Sequence, residues 1–154
     1  MTQEKTNTPE QPSVQINLQY VKDMSFEAPG MPMSLLAIKS APAINVNIDL
    51  KAGKTNNDKC YTVDLTLHIE AKNKENNSSL FLCELVYGAL VTLNVPDEHR
   101  EPILMVEIPH MIFPYARAIV GNTISQAGFP ALQISPIDFA GLYRQKKAEQ
   151  KAKK

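Results

Sequence analysis

The sequence predicts an α+β fold in which four strand-like segments precede two helices. Three observations carry this. Apolar and polar side chains alternate with a period of two residues in runs between Val14 and Val95. After Pro109 the apolar period lengthens to about 3.6 residues, the helical repeat. Between strand-like runs lie turn-forming stretches such as KAGKTNNDK and KNKENNSS.

In the first strand Val14, Ile16, Leu18 and Tyr20 are expected on one face, with Gln15, Asn17 and Gln19 on the other. The second places Ile44, Val46, Ile48 and Leu50 against Asn45, Asn47 and Asp49. The third sets Tyr61, Val63, Leu65, Leu67 and Ile69 against Thr62, Asp64, Thr66, His68 and Glu70. The fourth, Leu80 to Val95, differs. Phe81, Cys83, Leu85, Tyr87, Ala89, Val91 and Leu93 form one apolar face, and Leu82, Val86 and Leu90 make the opposite face largely apolar too. A one-sided sheet does not need this, so either both faces are covered or one meets something outside the domain.

Two connections are unusually apolar, EAPGMPMSLLAIKSAPA and EPILMVEIPHM. Pro29, Pro32, Pro42, Pro102 and Pro109 argue against regular interior elements there. Such segments either cap a core or line an apolar groove. The first helix carries a stripe of Ile112, Ala116, Ile119, Val120, Thr123, Ile124 and Ala127, with Pro114 in its first turn and Gly128 as its stop. Ala118, Gly121, Asn122 and Ser125 form a second stripe, small enough to admit another backbone. A second helix follows Pro136, with Asp138 early and Ile137, Phe139, Ala140, Leu142 and Tyr143 apolar.

A length of 154 residues suits one domain, and 44% hydrophobic with 21% charged residues is a globular composition. The expected division is a disordered tail at 1–13, a domain at 14–143, and a charged, fraying tail at 144–154. Sixteen basic residues balance sixteen acidic ones, which argues against a strongly basic nucleic-acid binder. The opening MTQEKTNTPEQPS lacks the order of a signal peptide, and no apolar run reaches membrane-span length, so a soluble cytoplasmic protein is expected. Cys60 and Cys83 lie in strand-like runs without metal spacing or a cystine framework.

Catalytic patterns are missing. His68, His99 and His110 lack the i, i+4 spacing of zinc ligands, and the glycines form no phosphate loop. Cys83 sits in an apolar stretch that makes a thiol less acidic, consistent with packing. The carboxylates of PDEHRE suit a solvated loop. No metal, cofactor or enzymatic activity is expected.

YVKDMSFEAPGMP (Tyr20–Pro32), FLCELVYG (Phe81–Gly88) and FPYARAIVGNTISQAGFPALQISPIDFAGLY (Phe113–Tyr143) together resemble the SecB family, in the same order over about residues 14–143. The resemblance implies an ATP-independent chaperone that holds secretory precursors unfolded and delivers them to the SecA motor. It implies a four-stranded antiparallel sheet with two helices, assembled as a dimer of dimers, the long helices lying between two sheets. Small-stripe residues Ala118, Gly121 and Ser125 would then meet a second copy.

Positions matching the family's dimer–dimer interface are Cys83, Leu85 and Tyr87. Those matching its SecA-docking set are Asp23, Glu27, Leu82 and Glu84, which would receive SecA's small, basic, zinc-carrying C-terminal segment. Each carboxylate alone is equally an ordinary surface group. The client surface implied by the family takes in Ile44, Val46 and Ile48 on the second strand, the crossover loop, and Leu142 and Tyr143. Met105 joins it among methionines suited to varied partners. Half-buried strand residues look identical in sequence whether or not they bind clients.

The chain departs from the family in three respects. It has no tryptophan, its loop after EAP is one residue longer than in some relatives, and its tail is lysine-rich where familiar relatives end acidic. Two other functions fit the residues: a SecB-like chaperone devoted to one toxin–antitoxin pair, and a small oligomeric α+β ligand carrier or enzyme.

Overall fold

Alternating side chains build the sheet they predict. In a computed structural model describing residues 10–154, the strands are β1 (Ser13–Glu27), β2 (Ala43–Lys54), β3 (Cys60–Lys72) and β4 (Ser79–Asn94). Their order is β1-β4-β3-β2 with every neighbour antiparallel, so β1 and β2 are the edges. Residues 1–9 of the expected tail lie outside the described residues. Glu10 accepts hydrogen bonds from Asn94 Nδ2 at 3.2 Å and Lys59 Nζ at 3.4 Å, just ahead of β1.

The two central strands hold the core. Register sets Leu65 beside Tyr87, Leu67 beside Leu85 and Ile69 beside Cys83, all on one buried face. Each fully buried aliphatic side chain contributes about 1.5–3 kcal/mol. The opposite face of β4, with Leu82, Glu84, Val86 and Leu90, is half-buried or exposed. One face of the fourth strand is therefore covered by its own chain and the other is open.

The simple alternation expected of β1 is corrected by two register shifts, between Ile16 and Leu18 and between Val21 and Asp23. A bulge inserts one unpaired residue and reverses the side-chain faces beyond it. Val14 and Ile16 face the core side with Leu93 and Val91, whereas Leu18 and Tyr20 pair with Leu90 and Gly88 on the outer face. Gln19, expected outside, turns inward and accepts a hydrogen bond from Tyr87 Oη at 3.2 Å. The second shift restores Met24 and Phe26 to the core side and leaves Asp23 outside. Tyr20 lies over Gly88, where a Cβ would come within 2.5 Å of the ring.

The second apolar connection is no loop. α2 (Asp97–Pro102), a π-turn (Ile103–Glu107) and α3 (Ile108–Gln126) run on as one helix of 30 residues. Proline removes a donor and crowds the preceding turn, costing about 3 kcal/mol inside a helix. Here the π-turn takes up the fault, and the Ile108 N–H reaches the Ile103 carbonyl. Burial of Ile103, Leu104, Ile108 and Ile112 on the sheet outweighs it. Among the described residues this helix alone has the length and hydropathy to cross a membrane, contrary to expectation, yet its apolar row (Ile108, Ile112, Ala116, Val120, Ile124) is buried on the sheet. Gly128, at φ +96°, ends it as expected.

The first apolar connection does two things. Its single turn α1 (Met33–Leu36) leaves Met33 and Leu36 68% and 77% exposed, while Met31, Leu35 and Ile38 pack on the core. Phe26 stacks on Phe81 with centroids 5.6 Å apart, and Phe129 meets Phe81 at a tilt with centroids 4.9 Å apart. The second predicted helix is α4 (Phe139–Ala152), capped by Asp138, whose carboxylate accepts the Gly141 N–H at 3.0 Å. The expected fraying tail is in fact most of this helix, tied down by Lys146 and Lys147.

Candidate functional site

Edge position leaves the core-side residues of β2 only partly covered. The π-turn touches both β2 and α4 and floors the gap between them. A groove of about 180 Å³ results, lined by Ile48, Leu50, Met105, Leu142, Tyr143 and the stems of Gln145, Lys146 and Glu149. Ile48, Leu142 and Gln145 also line an adjoining, more open groove of about 610 Å³ with Val46 and Ile137. At the other end Leu50, Met105 and Lys146 continue into a third of about 530 Å³, where Arg100 lies 5.4 Å over the Tyr61 ring. One open channel thus collects Val46, Ile48, Met105, Leu142 and Tyr143. Ile44 stands apart at the start of β2, beside Glu70 and Lys72. Sequence reading missed Leu50 and Ile137; Leu50 continues the alternation of β2 and was the available signal.

α4 is held against β2 by Lys146, whose Nζ donates to Asp49 Oδ1 and to the Leu50 carbonyl, both at 3.0 Å. Burial pushes the Asp49 carboxyl up, but the hydrogen bond and charge of Lys146 outweigh it and hold the group below its ordinary value. Lys147 bonds Glu101 at 3.2 Å and lies 5.4 Å over the Tyr143 ring. The Glu101 hydrogen bond, then that of Tyr143, raises its pKa.

On the outer face the bulges place Asp23, Glu27 and Ser25 beside Val86, Leu82 and Glu84. Asp23, Glu27, Leu82 and Glu84 therefore share one solvent-facing patch. From β3, Glu70 stands opposite Leu82 and His68 opposite Glu84, with His68 Nδ1 2.7 Å from Glu84 Oε1. Leu82 is an apolar post between the carboxylates of Glu27 and Glu70. Lys22, which would neutralise the patch, is drawn to Asp64 at 2.7 Å. Among the described residues no three His, Cys, Asp or Glu side chains converge as a metal site.

The SecB family model, described as preprotein translocase subunit SecB, matches residues 7–150. The chain belongs to the SecB family. Protein-export protein SecB of Mesorhizobium japonicum is 44% identical over 147 residues, covering 95% of this chain and 86% of that one. SecB 1 of Gluconobacter oxydans is 43% identical over 152 residues, covering 94% and 87%. SecB of Paramagnetospirillum magneticum is 36% identical over 153 residues, covering 99% and 97%. A SecB-like chaperone of Mycobacterium tuberculosis, solved with a peptide from an antitoxin, superposes with a TM-score of 0.66. It covers 80% of this chain and 90% of its own at 12% identity, a likeness of fold. SecB is a chaperone family, so the chain is not an enzyme.

The residues matched to the SecB oligomer interface fall into two groups. Cys83, Leu85 and Tyr87 are already buried beneath the chain's own helix, Cys83 and Leu85 completely. Neither Cys83 nor Leu85 presents any surface on the single chain. Burial, then the Glu84 charge, raises the Cys83 thiol pKa, and burial, then Tyr115, raises that of Tyr87. Ala118, Gly121 and Ser125 line a groove of about 480 Å³ beside Leu132 and Gln133. At Gly121 the close approach is internal, since a Cβ there would lie 3.2 Å from the Leu132 carbonyl. The conspicuous open apolar surface is one the sequence did not reveal: Val14 and Val21 on the core side of β1, 40% and 47% exposed, with Met111 and Tyr115 of α3 also exposed.

Proposed function

We propose that this chain is an ATP-independent chaperone of protein export that holds precursors unfolded and hands them to SecA in the cytoplasm. The open channel between β2 and α4 carries the proposal. It is long, apolar and unlidded, and a channel of that kind takes extended chain segments without reading their sequence. Apolar burial contributes about 25 cal/mol per Å² before ordering costs, so one short channel binds weakly. Met105 repacks around varied side chains.

Several channels on one assembly multiply weak contacts through effective concentration. The uncovered face of Val14, Val21, Met111 and Tyr115, beside the small stripe of Ala118, Gly121 and Ser125, supports assembly of copies into a dimer of dimers. Handover falls to Asp23, Glu27, Leu82 and Glu84, on the face of the sheet opposite the channel, where a basic SecA segment can dock while the client stays bound. The chaperone domain takes in all of α4, because Lys146 closes one wall of the channel.

The test is a pull-down of the full chain with an unfolded precursor and with SecA, using Glu84→Lys as the variant. Loss of SecA with the precursor retained is expected. Loss of both, or of neither, rejects the division of labour. A chain that retains one partner among many precursors offered belongs instead with dedicated chaperones.

A further inference from the structure

We propose that His68 positions Glu84 and makes the outer face a proton-sensitive docking surface for a cationic partner. This rests on the docking role given to Glu84 above. Register sets His68 of β3 directly opposite Glu84 of β4, and the Nδ1–Oε1 contact of 2.7 Å is a hydrogen bond. Both side chains remain within reach of a partner, 35% and 48% exposed. Carried by adjacent central strands, the pair has little backbone freedom.

A neutral imidazole with its proton on Nδ1 donates to the carboxylate, fixes its direction and leaves its full negative charge outward. A second proton, on Nε2, places a positive charge beside that carboxylate and repels an approaching lysine or arginine. Imidazoles as a class change charge between about pH 5 and 8.

The surrounding groups do not mask this. From β4 the neighbours of His68 are Leu82 and Val86; from β1, beyond Glu84, come Ser25, Asp23 and Glu27. From β2, Asn47 lies opposite, with Asn45 and Asp49 diagonal; along β3 lie Thr66 and Glu70. Lys146 occupies Asp49 at 3.0 Å and Lys72 lies 3.7 Å from Glu70. Among the described residues neither lysine nor arginine pairs with Glu84, so His68 is the basic side chain that meets it.

The experiment titrates purified SecA against the full chain at pH 8 and pH 5.5, comparing wild type, His68→Gln and Glu84→Gln. Wild-type affinity is expected to fall about three- to tenfold at the lower pH, the effect of one like charge a few ångströms away at a surface. His68→Gln still donates a hydrogen bond but cannot charge; it should match wild type at pH 8 and lose less than about twofold at pH 5.5. Any titration of SecA itself is common to both proteins. A His68→Gln profile that falls as wild type does, or a flat wild-type profile, overturns the proposal. Glu84→Gln binding as tightly as wild type at pH 8 overturns the docking role itself, a separate failure. Circular dichroism checks that the variants fold, and His68→Asn is a second neutral replacement.

Discussion

Replacing Lys146 by methionine should loosen α4 without unfolding the sheet. The substitution keeps an apolar stem against Tyr143 and Leu50 but removes both 3.0 Å hydrogen bonds. Lys146 and Asp49 are about half exposed, and such an ion pair contributes roughly 0.2–1 kcal/mol. The bond to the Leu50 carbonyl, at a buried residue, adds about 0.5–1.5 kcal/mol. Together they come to about 1–2 kcal/mol, a factor of roughly 5–30 in local opening. Amide hydrogen exchange over Phe139–Ala152 should accelerate by that factor, while β3 and β4 exchange at the wild-type rate. Acid should reproduce the Asp49 share of the effect in wild type, leaving the bond to the Leu50 carbonyl in place. The Asp49 carboxyl is depressed in the folded state, so its contribution is complete above the unfolded value of about 3.9 and is lost as pH falls through the lower folded value. The variant should lack that acid-dependent step. Unchanged α4 exchange, or equal acceleration in β3, would refute the proposed anchoring of this wall.

Three further outcomes follow from the geometry. Leu142→Asp sets a charge on the channel wall and should weaken capture of an unfolded precursor at least tenfold, about 1.4 kcal/mol, in an aggregation-suppression assay; SecA binding should stay as in wild type. Val21→Lys charges the uncovered face of β1 and should shift the particle to smaller species in light scattering, with the strand signal of circular dichroism retained. Cys60 is partly accessible, whereas Cys83 is fully buried with a raised thiol pKa, so alkylation of the native protein at pH 8 should modify Cys60 first by mass spectrometry.

Period-two alternation made β2, β3 and β4 legible because their mutual pairing keeps a constant register until the shift between Ala71 and Lys72 at the end of β3. Gly128 was legible for a local reason, since a left-handed residue ends a helix; Asp138, expected early within the second helix, instead caps it from just outside. β1 was misread because its two bulges depend on pairing with β4, and nothing in Gln15–Lys22 alone distinguishes a bulge from steady alternation. The helix through Pro102, Pro109 and Pro114 was misread for the opposite reason. Proline's local preference is real, but burial of the surrounding isoleucines is larger and appears only once the sheet exists. Legible in part was the channel: Val46, Ile48, Leu142 and Tyr143 stood out by pattern and likeness and Leu50 continued the β2 alternation, while Ile137 needed the crossing of β2 and α4. His68 carried no sequence signal, since its partner sixteen residues away is set by strand register.

The paired bulges of β1 make residue count as important there as residue identity. Losing or gaining one amino acid between Ile16 and Asp23 would turn every later side chain of that strand over, sending Met24 and Phe26 to water and Asp23 and Glu27 into the hydrocarbon interior. The same change in TNNDK, between β2 and β3, would only lengthen or shorten a surface hairpin. Drift in length should therefore gather at the hairpins and spare the stretch from Ile16 to Asp23, even where its individual letters vary.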